Sequence, residues 1–122
     1  MRVAVDTNAL MMPVECDVRL FDELDRVVGS YEAVVPEAVV AELEKLADGN
    51  GKAATAASVG RDLADRCTVV STEADYADDA MVELGADCDY AVTNDKPLRR
   101  RLADADVPVI CLRGGTKLAV TQ

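Results

Sequence analysis

Two stretches far apart in the chain end in the same way. Val3-Ala4-Val5 runs into Asp6-Thr7-Asn8, and Tyr90-Ala91-Val92-Thr93 runs into Asn94-Asp95. A short apolar run reads as a strand buried on both faces, and polar groups at its carboxyl end mark where the chain leaves the sheet. In an open parallel α/β sheet, ligands and reacting groups gather at that edge, because the loops converge there above a rigid floor. Asp6 and Asp95 are therefore expected on one edge, and the rest of the chain has to say what joins them.

Three further short apolar runs read as strands: Ala33-Val34-Val35, residues 67–71 and residues 107–112. Between them lie helical patterns. Leu20, Leu24 and Val27, with Phe21 and Val28 beside them, repeat at helical spacing over 17–28, with Asp17 as the N-cap and Gly29 as the stop. Pro36 suits a helix entry, and the helix over 37–48 carries the stripe Val39, Leu43, Leu46 and Ala47 with Glu42 at its border. Residues 52–66 are Ala-rich and helical by propensity, and Gly60 allows close helix approach. Asp78 and Asp79 open a helix bearing Met81, Val82 and Leu84, while Asp95 caps one whose inner face is Leu98, Leu102 and Ala105. Arg113-Gly114-Gly115-Thr116-Lys117 is a basic turn before a last apolar piece, Leu118 to Val120. This alternation predicts one α/β domain over 1–122, a parallel five-stranded sheet flanked by helices.

No apolar run approaches the ~20 residues that span a bilayer, and residues 1–10 read as a strand rather than a leader, so a soluble, cytoplasmic protein with no membrane partner is expected. Cys16, Cys67, Cys88 and Cys111 form no CxxC pair and histidine is absent, which removes zinc sites and His-dependent nucleophiles. The cysteines read as buried or half-buried free thiols. A net charge of −10 argues against a nucleic-acid partner until its distribution is considered. Residues 1–95 carry −14, and residues 96–122, with six bases and two acids, carry +4. An acidic chain with more Arg than Lys also suits a high-salt, halophilic-type cytoplasm.

Asp6, Glu42, the Asp78-Asp79 pair and Asp95 supply four acidic positions. Alone, Glu42 reads as a solvated flank and Asp78-Asp79 as a cap with a first-turn acid. Gathered together they repel one another, and a divalent cation reverses that sign. Oxygen ligands without His or Cys select Mg²⁺ or Mn²⁺, and the matching chemistry is metal-assisted phosphodiester hydrolysis.

The motifs VDTNAL (5–10), VVAELEKL (39–46), YADDAMVEL (76–84) and TNDKPLRRRL (93–102) resemble, in order and over nearly the whole chain, the acidic motifs of PIN-domain ribonucleases. The resemblance is strongest to the branch of small-subunit rRNA-processing PIN nucleases and their archaeal relatives, through the ADD and TND wording and the last strand VPVI. It implies a three-layer, Rossmann-like fold, Mg²⁺ or Mn²⁺ as cofactor, and endonucleolytic cleavage of single-stranded RNA. The ligand positions fall on Asp6, Glu42, Asp78 or Asp79, and Asp95. Thr7, Asn8, Thr93 and Asn94 would hold these acids or bound water, and Lys96, Arg99, Arg100, Arg113 and Lys117 are candidates for RNA phosphate contacts. The resemblance leaves a toxin ribonuclease with an antitoxin partner, and a non-catalytic RNA-binding assembly factor, as alternatives. A homodimer also suits the family, with Leu118 to Val120 at a sheet edge or dimer seam. Two other phosphate chemistries fail on residues: the position two after Asp6 is Asn8 rather than a second acid, and the third strand ends in Ser71-Thr72 rather than a phosphorylatable Asp.

Overall fold

The computed structural model describes residues 1–121. The elements run β1 (Arg2–Val5), α1 (Thr7–Glu15), α2 (Leu20–Val28), β2 (Glu32–Pro36), α3 (Glu37–Ala47), α4 (Gly51–Leu63), a 3₁₀ turn (Ala64–Arg66), β3 (Thr68–Val70), α5 (Ala77–Gly85), β4 (Tyr90–Val92), α6 (Lys96–Asp104), β5 (Val109–Arg113) and β6 (Lys117–Thr121). The sheet order is β3-β2-β1-β4-β5-β6. β1 pairs in parallel with β2 and β4, β2 with β3, and β4 with β5. The parallel five-stranded core of the sequence reading is present, and a sixth strand extends it.

Steps from β1 to β2 to β3 run one way along the sheet, and the step from β4 to β5 runs the other. With right-handed crossovers, that reversal places α1–α4 on one face and α5–α6 on the opposite face, giving three layers. α4 packs on α1 and α3, whereas α5 packs on α6 and on β1, β2 and β4. Val3, Ala4, Val5, Val34, Val35, Ala91, Val92 and Ile110 form the sheet's buried centre, with Leu10, Leu24, Leu43, Met81, Leu98 and Leu102 from the helices above and below. The reversal falls between β1 and β4, and a crevice opens at the carboxyl ends of strands where the order reverses.

Several sequence-based boundaries are corrected. Thr7–Glu15, to which periodicity assigns no helix, is α1. Ala9, Leu10, Met11 and Met12 are all buried, so the helix shows no amphipathic stripe, and Pro13 lies inside it. α2 begins at Leu20 with Arg19 in the cap position, and Asp17 instead takes a positive φ of 56° in the preceding turn. Leu46 is 41% exposed and Ala105 lies beyond the end of α6, so neither belongs to its expected buried face. In α4 the buried face is Ala54, Ala56, Ala57 and Gly60. Cys16, Cys67, Cys88 and Cys111 are free, Cys111 buried and the others half-buried. No helix of the described residues is long and apolar enough to cross a membrane.

The sixth strand is antiparallel to β5, in the register Arg113↔Lys117 to Val109↔Thr121. Gly114 and Gly115 take φ values of 73° and 84°, a region that a Cβ disfavours, and so close a three-residue hairpin loop. The opposite edge of β6 is partnered by side chains of α2. Glu23 accepts the Leu118 N–H at 2.8 Å, and Arg26 donates to the Leu118 carbonyl at 2.7 Å while pairing with Glu23. The Arg26 and Leu118 hydrogen bonds hold the Glu23 carboxyl down at about 2.

Gly60 is the contact on which the α1–α4 packing turns. A Cβ there would stand 2.9 Å from the Leu10 carbonyl oxygen and 3.2 Å from a Leu43 methyl. Gly60→Ala gains helix propensity but forces a backbone shift, and we expect a net loss of about 1–2 kcal/mol, read as a lower urea midpoint at unchanged m-value.

Candidate active site

The two strand-end acids lie where the sheet order reverses. Asp6 leaves β1, caps α1 by accepting the Ala9 N–H at 2.7 Å, and is 4% exposed. Its own N–H donates to the Val92 carbonyl, which ties the ends of β1 and β4 together. Asp95 caps α6 by accepting the Leu98 N–H at 3.1 Å. The cap requirement is the local reason for both positions, since a carboxylate at an N-cap satisfies orphan amides and meets the positive end of the helix dipole.

One polar contact locks the two loops to each other, and another braces the second loop internally. Asn8 Oδ1 accepts the Asn94 N–H at 2.9 Å across the loops, and within the second loop the buried Thr93 hydroxyl accepts the Asp95 N–H at 3.1 Å. Thr7 is buried as well, and its Oγ1 has no hydrogen-bond partner among the described residues. Asn94 contributes its backbone to this network.

Asp6, Thr7, Asn8, Met11, Glu42, Asp78 and Asp95 line one pocket of about 250 Å³. The carboxylates thus come from β1, α3, α5 and the start of α6. Glu42 and Asp78 are on its exposed rim, while Asp6 is at its base. Burial pushes the Asp6 carboxyl up to about 7, against the Thr93 and Ala9 hydrogen bonds, and the charges of Asp78 and Asp95 add to the rise. Asp78 is raised by partial burial and by Asp95 and Glu42, with Arg101 opposing. Among the described residues, no three acidic, histidine or cysteine side chains converge into a ready-made metal cage. The four carboxylates share the pocket, and their charges act on one another across it.

The geometry separates the two members of the Asp78-Asp79 pair. Asp78 lines the pocket, whereas Asp79 faces α6 and pairs with Arg101 at 2.8 Å. Met11 and Arg101 were not singled out in the sequence. Met11 belongs to the helix that periodicity concealed, and Arg101 is one of three consecutive arginines whose facing acid is 22 residues away. The basic candidates lie outside the acidic pocket. Lys96, Arg99 and Arg100 line a separate groove beside α6, and Arg113 and Lys117 flank the β5–β6 loop.

Residues 3–115 match the family described as PIN like domain, and the chain belongs to that family. Among curated proteins it is similar to Ribonuclease VapC4 of Methanocaldococcus jannaschii, 26% identical over 118 residues, covering 92% of this chain and 90% of that one. Among solved structures it is similar to the PIN domain endonuclease Utp24, with a TM-score of 0.77 and 26% identity, covering 98% of this chain and 90% of that one.

The buried acid has a thermodynamic signature. The folded chain keeps the Asp6 proton up to about pH 7, while the unfolded chain releases it near 3.8. Folding therefore takes up a proton in this window, and the Asp6 contribution to stability falls as pH rises through it, by up to about 4 kcal/mol. In EDTA, the melting temperature should drop between pH 5 and pH 8. Asn caps a helix as well as Asp, so Asp6→Asn should flatten that drop and melt higher than the parent at pH 8.

Proposed function

We propose that this protein is a divalent-metal-dependent endoribonuclease that cleaves single-stranded RNA. The observation that carries the reading is the shared pocket of Asp6, Glu42, Asp78 and Asp95 at the switch point of the sheet. Membership of the PIN-like family and similarity to a named ribonuclease and a named endonuclease support it.

The donor set suits Mg²⁺ or Mn²⁺. It is made of oxygens alone, one carboxylate is buried at the cost of a raised pKa, and an orphaned hydroxyl, Thr7 Oγ1, lies in the wall. Asp6, Glu42, Asp78 and Asp95 would hold the ion. When bound, it supplies activation of water at neutral pH and neutralisation of charge building on the scissile phosphate. The chain's own residues set the geometry. Asn8 holds the Asp95 loop against the Asp6 loop, Thr93 braces the Asp95 backbone within its own loop, and the Ala9 and Leu98 amides each fix one carboxylate oxygen. Asp79 positions α5 against α6 through Arg101 and is assigned no ligand role.

Purified protein should cleave labelled single-stranded RNA with Mn²⁺ or Mg²⁺ and be silent in EDTA. Asp6→Asn, Asp78→Asn and Asp95→Asn should each lose on the order of 10²-fold or more in cleavage rate, whereas Asp79→Asn should lose less than about tenfold. A parent without cleavage under any divalent metal would overturn the reading, and an Asp79→Asn loss matching that of Asp78→Asn would overturn the division between them.

Within this class, the wording of the ADD and TND motifs supports precursor ribosomal RNA as the substrate. The second reading is a toxin ribonuclease held by an antitoxin, and the similarity to a protein named Ribonuclease VapC4 supports the ribonuclease activity that both readings share. Expression in a heterologous host separates them: growth arrest by the parent but not by Asp6→Asn supports the toxin. Unimpeded growth, together with accumulation of rRNA precursor on depletion from the native host, supports processing.

A further inference from the structure

α6 does not extend over β6, and a second cavity opens where the sheet is left uncovered. It measures about 700 Å³, against about 250 Å³ for the acidic pocket, and lies within the ~300–1,000 Å³ range of ligand sites. One wall is α6 with Lys96, Arg99 and Arg100, and the floor includes Tyr90, Val107 and Val109. Arg99 also borders an adjoining cavity of about 630 Å³ that reaches Arg113 on β5.

The cations here are clustered in a chain that is acidic elsewhere. Acids outnumber bases 23 to 13, so an intramolecular partner is easy to find. Arg2, Arg19, Arg26, Arg61 and Arg101 each have one within 4.0 Å. Among the described residues, eight of the thirteen bases form no such pair, and five of those eight, Lys96, Arg99, Arg100, Arg113 and Lys117, border α6 or the β5–β6 hairpin. Of the other three bases, Arg66 lies over the Phe21 ring at 4.1 Å, and Lys45 and Lys52 line neither cavity. A row of unpaired cations in an acidic protein leaves its charge to an anion from outside.

Position identifies that anion. The groove starts at Lys96, the residue after Asp95, so a strand whose phosphate sits at the acids continues directly along α6. Among the described residues, Asp106 is the one acid in the groove wall, and it stands past the far end of the helix. Cations on one side and an apolar floor with an aromatic ring on the other match a nucleotide chain, which presents a phosphate and a flat base at every step.

We propose that the groove between α6 and the β5–β6 hairpin is the track for the RNA segment on one side of the scissile phosphate. Its phosphates lie on Lys96, Arg99 and Arg100, and a base rests on Tyr90 and Val120. This rests on the ribonuclease reading, but binding in EDTA tests it without cleavage. The probe is a labelled single-stranded RNA, titrated at several KCl concentrations against the parent and against Lys96→Ala/Arg99→Ala/Arg100→Ala. Removing three phosphate contacts should weaken binding and make the log–log salt slope shallower by about 2. Ala103→Trp, which fills the groove without changing charge, should weaken binding at least tenfold with the salt slope less affected. Shortening the RNA from one end should cost the parent affinity and cost the triple variant little, while shortening from the other end should affect both alike. An unchanged slope and affinity in the triple variant, or equal losses from both ends in every protein, would overturn the proposal. So would competition by polyglutamate as strong as by RNA, which would make the groove a site for an acidic protein. A parent that binds RNA in this way but never cleaves it would leave the track standing and remove the nuclease.

Discussion

Asp6 is both the N-cap of α1 and the buried base of the acidic pocket, and the two positions place conflicting demands on its charge. As the N-cap of α1 it has to stand at the end of β1, with its carboxylate turned to the Ala9 amide. That position buries it, and burial favours the protonated form strongly enough to move its titration to about 7. Three more carboxylates border the same pocket. The arrangement is held because its backbone is committed elsewhere: β1 is the central strand between β2 and β4, and Asn8 links the Asp6 loop to the backbone at Asn94. The fold meets an electrostatic cost locally with hydrogen bonds and packing.

Charge is sorted across the molecule in a way that net charge conceals. The acids of the pocket are exposed to one another, while most acids near arginines are paired on the surface, where each pair contributes little to stability. Glu23 and Arg26 are an exception in function. Together they offer the β6 backbone an acceptor and a donor, standing in for the neighbouring strand that an edge lacks. The hairpin that makes one wall of the basic groove is thereby tied to α2 on the other face of the sheet. The groove exists because β6 widens the sheet beyond the reach of α6.

Much of this was legible in the residues. The repeated strand endings at Asp6 and Asp95, the capping of α6, the free thiols and the close approach at Gly60 all follow from local chemistry and appear in the structure. α1 was not legible, because a helix buried nearly all round has no stripe and its proline reads as a breaker. The sixth strand was legible only as one of two alternatives, Leu118 to Val120 at a sheet edge or at a dimer seam, since a five-residue segment after a Gly-Gly turn becomes a strand only when an edge is there to receive it. Leu46 and Ala105 fit their helical periods and still fell outside the core, because a period says which face a residue shares but not where the neighbouring element stops.

By itself, then, the sequence determined which residue types were available for chemistry: carboxylates and hydroxyls without histidine, at strand ends and helix starts where local rules place them. It also determined the alternation that makes a parallel sheet the stable way to bury those short apolar runs. The choice of Asp78 over Asp79 as the pocket residue was tertiary, because it depends on which way Arg101 faces from α6. So was the separation of the basic groove from the acidic pocket. Spacing along a chain constrains the face of one element, whereas a site is made by the packing of several, and that is settled only when the sheet order brings β1 and β4 side by side.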